Sequence, residues 1–250
     1  MATMGGDGVA HHAANGLVYT AAALGIIPAG TTNVLARIFK LPRDPRRAAE
    51  AMASLPALPT RMAAIAAETQ SGPISEYATF AFGVGYDADV VARAEERPQS
   101  KIWLGGAHYA QSALAKLLTE WRSRPASLAV STDGDRADGV AVLVQVHHPY
   151  TYFGPVPLQI TDGPVGGLAA AVVDSLEVHR AAEIFVRSAI RQPLPRRLGT
   201  ALWEDFAELI VDADPPTPLQ ADGEFLGIAS RAVVTEAPDS LLALRTDDQD

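Results

Sequence analysis

The chain has 250 residues, carries a formal net charge of −9 and is 48% hydrophobic. That much apolar sequence can fill the core of one large domain or two small ones and excludes a disordered chain. The acidic balance argues against a nucleic-acid partner, which needs a basic face to displace counterions, and the absence of cysteine excludes disulfides, thiolate metal ligands and a Cys nucleophile.

"GGDG" at residues 5–8 is followed by a predicted helix over 9–24. "LGIIPAG" (24–30) predicts a short buried strand that stops at Pro28 and Gly30. "TTNVLARIFKL" (31–41) opens with Thr residues able to cap a helix and continues with Val34, Leu35 and Ile38 at helical spacing. A further helix is expected over 42–55 after a Pro-marked break, and "LPALPTR" reads as a linker. Residues 1–58 thus predict part of a parallel α/β domain.

From residue 59 to 250 the texture changes to short apolar or alternating runs bounded by Gly, Pro and Asp. "RMAAIAAET", "EYATFAFGVGY", "GVAVLVQVHH", "LAAAVVD" and "ASRAVVTEA" are examples, and together they predict an antiparallel β-rich second domain. Helical inserts are expected over 105–122 and 177–191, and a frayed tail at "TDDQD". No apolar run reaches the roughly 18 residues of a membrane span. The first residues are Gly-rich rather than basic and then apolar, unlike a signal peptide. The expected location is cytoplasmic, with peripheral membrane contact at most.

Three motifs carry candidate chemistry. Gly5, Gly6, Asp7 and Gly8 form either a tight turn or a loop whose backbone N–H groups approach phosphate oxygens beside a helix N-terminus. An Asp there repels phosphate unless it meets a metal or a ribose hydroxyl. "PAGTTN" (28–33) offers Thr hydroxyls and backbone donors, or simple capping. In "ADGEF" (221–225), Asp-Gly suggests a hairpin turn, and Glu224 is either a solvated strand residue or a general base.

In order and spacing, "GGDG…NGL", "LGIIPAGTTNVLAR", "FGVGYDADVV" and "PLQADGEFLG" resemble the lipid kinases of the diacylglycerol kinase and sphingosine kinase family, the bacterial members most closely. The resemblance runs from residue 5 to about residue 244. NAD kinases share the glycine–Asp loop, but "PAGTTNVLAR" is of the lipid-kinase type. The resemblance implies an N-terminal α/β domain holding ATP, a C-terminal antiparallel β domain and an active site between them. It gives Gly5, Gly6, Asp7, Gly8, Gly30, Thr31 and Asn33 to the nucleotide and Glu224 to proton abstraction from a lipid hydroxyl, with Asp7 beside it in the catalytic set. Mg²⁺ accompanies ATP, the acceptor is diacylglycerol or a sphingoid-like lipid at a membrane surface, and a homodimer is allowed.

The chain departs from the family pattern at several positions. Val9 stands where Thr is usual, His12 where a Glu is common, and Val34 where many members have Asp. Val165 and Gly166 occupy the place of an Asp-rich turn that helps to hold a structural Mg²⁺ in the family, so no metal ligand is assigned here. These departures, with only four residues before the glycine loop, leave open a catalytically impaired relative that binds lipid or a partner. They also raise the expectation that strands preceding "MATM" are missing.

Other residues read more plainly. His11 and His12 point about 100° apart on a helix, and His147 and His148 diverge on a strand, so neither pair makes a metal face. Asp87 is expected to cap the start of a helix, with a lesser reading in the lipid head-group pocket. The Arg run 43–47 reads as a solvated face. Trp103, Tyr109 and Trp121 read as core packing before acyl-chain lining.

Overall fold

The computed structural model describes residues 1–95, 121, 124–190, 192, 194–195 and 198–246. β1 (Ala2–Gly5) and β2 (Gly25–Pro28) pair in parallel, Thr3 against Ile26 and Gly5 against Pro28. Between them α1 (Asp7–Asn15) turns Ala10, His11 and Ala14 inward. It ends at Gly16, well short of the expected residue 24, and the chain returns to β2 through turns.

The predicted helix over 31–41 is a single short turn, α2 (Val34–Ile38). Its N-cap is Asn33 in the left-handed conformation, so Thr31 and Thr32 lie outside the helix and cap nothing. Asn33 instead folds back on Gly30, accepting from Gly30 N at 2.9 Å and donating to Gly30 O at 2.7 Å. α3 (Pro45–Ala51) has Pro at its start, and Asp44 accepts from Arg47 N as an ordinary cap.

The rest is dominated by one ten-stranded sheet. β3 (Ala57–Thr69) starts inside the expected linker. β4 (Gly72–Ala78) and β5 (Ala81–Gly85) divide the run "EYATFAFGVGY" at Thr79–Phe80. α4 (Tyr86–Glu95) follows, then β6 (Leu128–Thr132), β7 (Asp135–Gly139) and β8 (Ala141–Gln145). β9 (Thr151–Phe153) and β10 (Val156–Leu158) make a separate hairpin. β11 (Ala169–Val173), α5 (Val178–Ala189) and β12 (Thr200–Glu204) precede the two longest strands, β13 (Glu208–Ala221) and β14 (Glu224–Leu244). The insert expected over 105–122 falls outside the described residues except for Trp121. That residue is fully buried and donates its ring N–H to Asp89 at 2.8 Å, which is core packing.

The strand order in the large sheet is β12-β11-β8-β5-β13-β14-β3-β4, with β6 and β7 branching from β13, which changes partner along its length. Ile210–Ala213 pair with β6, and Leu219–Ala221 pair with β5. The far end of β14 reaches back to the α/β unit, where Leu24 N donates to Leu242 O and Leu244 N to Leu24 O, both at 2.8 Å. Ala10, Leu24, Ile26, Leu35, Met62 and Leu241 belong to one apolar cluster, so the small parallel unit and the large sheet share a core.

Candidate active site

The two glycine loops touch backbone to backbone. A Cβ on Gly6 would stand 3.3 Å from Gly30 Cα, and one on Gly30 would overlap Gly6 Cα. This close approach requires glycine at 30 and leaves little room for a side chain at 6. It keeps the Gly6–Gly30 contact free of side chains at the N-terminal end of nine-residue α1.

Asp7 resolves the conflict of a carboxylate inside such a loop. Its Oδ1 accepts from Leu35 N at 3.2 Å, and the N–H groups of Val34 and Asn33 lean on the same carboxylate. The Asp thus supplies the N-terminal cap that α2 lacks in its own sequence and ties one glycine loop to the other. Burial pushes its pKa up to about 6, with nearby Asp222 adding to the rise and the backbone donors holding it back.

Glu224 arrives from the opposite side. Asp222 and Gly223 take positive φ, the geometry of a tight Asp-Gly turn between β13 and β14. The turn lays the Glu224 carboxylate on Gly8, where a methyl group would overlap Oε1. The first turn of α1 and the Glu224 carboxylate therefore share one wall of the cleft.

Asp222 does not point into that space. It is 2% exposed, and its carboxylate accepts from Thr79 N (2.7 Å), Thr79 Oγ1 (2.9 Å), Phe80 N (2.8 Å), Ala81 N (3.1 Å) and His11 Nδ1 (2.9 Å). The hairpin tip is thereby pinned to the β4–β5 connection and to α1. Asn15 adds a second clip, its amide pairing with both backbone groups of Tyr77.

Asp87 stands behind the hairpin at the start of α4. Its Oδ2 accepts from Tyr150 OH and from Gln220 Nε2, each at 2.7 Å, while Gln220 Oε1 accepts from Gly223 N at 2.9 Å. Burial raises the Asp87 pKa against the lowering effect of those two donors. Asp87 acts on the hairpin through Gln220, and its carboxylate is engaged with side chains from other elements rather than with its own helix. Arg37 on α2 lies 3.4 Å over the Tyr152 ring and donates to the carbonyls of Gly154 and Pro155, joining α2 to the β9–β10 hairpin.

Of the residues singled out in the sequence, Gly5, Gly6, Asp7, Gly8, Gly30, Asn33 and Glu224 converge on one cleft. Thr31 sits exposed on its rim. The sequence reading missed His11, Gln220 and Tyr150 as members of the supporting network. The available signal for His11 was its position one helical turn beyond Asp7, on the face that Ala10 and Ala14 bury.

The glycine loop at the start of α1 suits the phosphates of a nucleotide, and Glu224 is a hard oxygen donor that suits Mg²⁺ carried with it. The structural Mg²⁺ that the resemblance implies does not fit the turn before β11: Arg61 donates to the carbonyls of Val165 and Gly166, and Asp205 accepts from Gly167 N. Among the described residues, no three His, Asp or Glu side chains cluster as a metal site. Two surface hollows, about 400 Å³ beside Asp138 and Asp212 and about 370 Å³ beside Arg136 and Trp203, include no residue of this constellation.

An α/β unit with paired glycine loops, facing a carboxylate delivered by an antiparallel β unit, is the two-part arrangement expected from the sequence. The family resemblance is carried by residues 1–65, which match the model of the diacylglycerol kinase catalytic domain. The crystal structure of a "putative diacylglycerol kinase" from Bacillus anthracis str. Sterne is similar at 18% identity and a TM-score of 0.72, over 98% of this chain and 76% of that one. Another, of a diacylglycerol kinase from the same strain, is similar at 15% identity and a TM-score of 0.67, over 98% and 76%. Yeast NADH kinase complexed with NADH is similar at 12% identity and a TM-score of 0.52, over 98% and 61%. These likenesses show a shared fold. No curated protein matches the chain in sequence.

Proposed function

We propose that this chain is an ATP-dependent lipid kinase, acting on a primary hydroxyl of diacylglycerol or a sphingoid-like lipid presented at a membrane surface. The observation that carries the reading is the Glu224 carboxylate resting on Gly8, at the helix start where the phosphates of a nucleotide would lie. Bound Mg-ATP supplies the phosphoryl group and its countercharge. Backbone N–H groups of the Gly5–Gly8 loop hold phosphate oxygens, and the Gly6–Gly30 approach keeps side chains out of their way. Glu224 accepts the proton of the attacking hydroxyl, which is a poor nucleophile until it is lost. Asp7 holds the second loop against the first, and the His11–Asp222 and Gln220–Gly223 contacts fix the hairpin that aims Glu224.

Among the described residues, no helix is long and apolar enough to cross a membrane. Nucleotide binding tests the reading. Mg-ATP should raise the melting temperature of the wild type, because a ligand that binds only the native state stabilises it. Gly6→Val, which puts a branched side chain against Gly30, should abolish that rise. A wild type unmoved by millimolar Mg-ATP would remove the nucleotide role.

A second reading, a lipid-binding relative without turnover, is favoured by Val9, which is 47% exposed at the position where the family carries a hydroxyl. Lipid binding without phosphate transfer from Mg-ATP would select it.

A further inference from the structure

Arg61 on β3 points its guanidinium into a nest of oxygen atoms. Nη1 donates to Gly166 O and lies 3.4 Å from Glu236 Oε1, and Nη2 donates to Val165 O at 3.5 Å. The pair is mostly withdrawn from solvent, with the Arg61 and Glu236 side chains 26% and 31% exposed. Glu236 comes from β14, where it pairs with Ala63 of β3. The carbonyls come from the turn that leads into β11. Asp205 closes the other side of this turn, accepting from Gly167 N while its own N–H donates to Leu168 O at 2.8 Å.

Two carbonyl oxygens from the turn and a carboxylate from β14 are oxygen donors of the kind a hard divalent cation takes. Here a covalently attached cation meets them. We infer that Arg61 takes the place of a structural divalent cation, locking the 163–167 turn to β3 and β14, and that the turn needs no metal while the guanidinium is present. The family pattern implies a metal at this turn, and the chain lacks the acidic residues for one; Arg61 accounts for how the turn stays closed without them. The Arg61 backbone is fixed as well. Burial and the Arg61 charge lower the His147 pKa to about 4, so the neutral ring donates from Nε2 to Arg61 O at 3.1 Å.

The inference does not depend on catalysis and is read from stability in the absence of nucleotide. The wild-type melting temperature should be the same, within about 1 °C, in EDTA and in millimolar Mg²⁺ or Ca²⁺. Arg61→Ala should melt roughly 3–8 °C lower, the range for losing charge-assisted hydrogen bonds in a domain of this size. It should regain a large part of the loss with Mg²⁺, Ca²⁺ or methylguanidinium, which enter the vacated nest. To separate this from cation binding at the cleft, the same series is run with Glu224→Gln in both proteins. Arg61→Lys, which keeps the charge but loses the fork, should fall between wild type and Arg61→Ala, and it is the fallback should the alanine variant not fold. An Arg61→Ala protein as stable as wild type, or no cation response gained on removing the guanidinium, overturns the inference. So does a wild type that loses stability in EDTA when Glu224 is already Gln.

Discussion

His11 Nδ1 and Asp222 Oδ2 meet at 2.9 Å with both side chains out of water, His11 on the helix after the glycine loop and Asp222 at the tip of the hairpin that carries Glu224. This contact couples the two halves of the cleft. Burial alone would lower the His11 pKa. Asp222, Glu76 (4.0 Å from Nε2) and Glu224 together outweigh burial, and the net shift is upward. The other neighbouring ring is His12, edge-on at 5.3 Å.

A histidine whose pKa is raised on folding stabilises the native state fully below its unfolded pKa, near 6.5. That contribution is lost as pH rises through the folded value. His11→Asn keeps a donor near Nδ1 but cannot become charged. The melting temperature of wild type minus that of His11→Asn should therefore be largest below about pH 6.5 and shrink on the alkaline side. His11→Ala should still cost on the order of 1–3 kcal/mol on the alkaline side, because it leaves a buried acceptor short of a donor. A difference between wild type and His11→Asn that does not change with pH would contradict the assignment.

Asp7 has the opposite dependence. Its pKa rises from 3.8 to about 6 on folding, so the native state resists ionisation of this group. The penalty is absent below the unfolded pKa and complete above the folded one. Asp7→Asn retains an oxygen to cap α2 and never becomes charged. Its melting temperature relative to wild type should rise between about pH 4 and pH 7, measured without nucleotide. A flat profile would mean that the carboxylate is better solvated than its position beneath α2 implies.

Gly8→Ala tests the placement of Glu224 without touching the carboxylate. The added methyl overlaps Oε1, so the side chain must swing away. Turnover should fall on the order of ten-fold or more, because small misplacements of a reacting group are costly. The melting temperature should change little, since Ala is a better helix former than Gly. Unchanged turnover would mean that Glu224 works from another position.

The motifs made the two glycine loops and Glu224 legible through their resemblance to a family, and the texture change near residue 59 marked the shift to β structure. What stayed hidden lay in partners far apart in sequence. "ADGEF" gives no sign that Asp222 accepts backbone hydrogen bonds from residues 79–81, more than 140 positions away. "TTNVLARIFKL" looked self-capping because the true cap, Asp7, comes from the preceding loop. β13 also contains Pro215 and Pro216. The register shifts between Asp212 and Thr217, so those prolines sit in a bulge where no ladder N–H is required. Pro238 is accommodated the same way, in the irregularity of β14 between Ala237 and Leu241.

Transfer of labelled γ-phosphate from Mg-ATP to diacylglycerol and to a sphingoid base in mixed micelles, by wild type and by Glu224→Gln, tests the central claim most directly. The account predicts a labelled lipid product with at least one of these acceptors. It predicts a rate lower by on the order of 10²–10⁴ for Glu224→Gln, with the fold and the Mg-ATP thermal shift retained. A folded, nucleotide-binding wild type that labels no lipid, or a Glu224→Gln variant as fast as wild type, would contradict it.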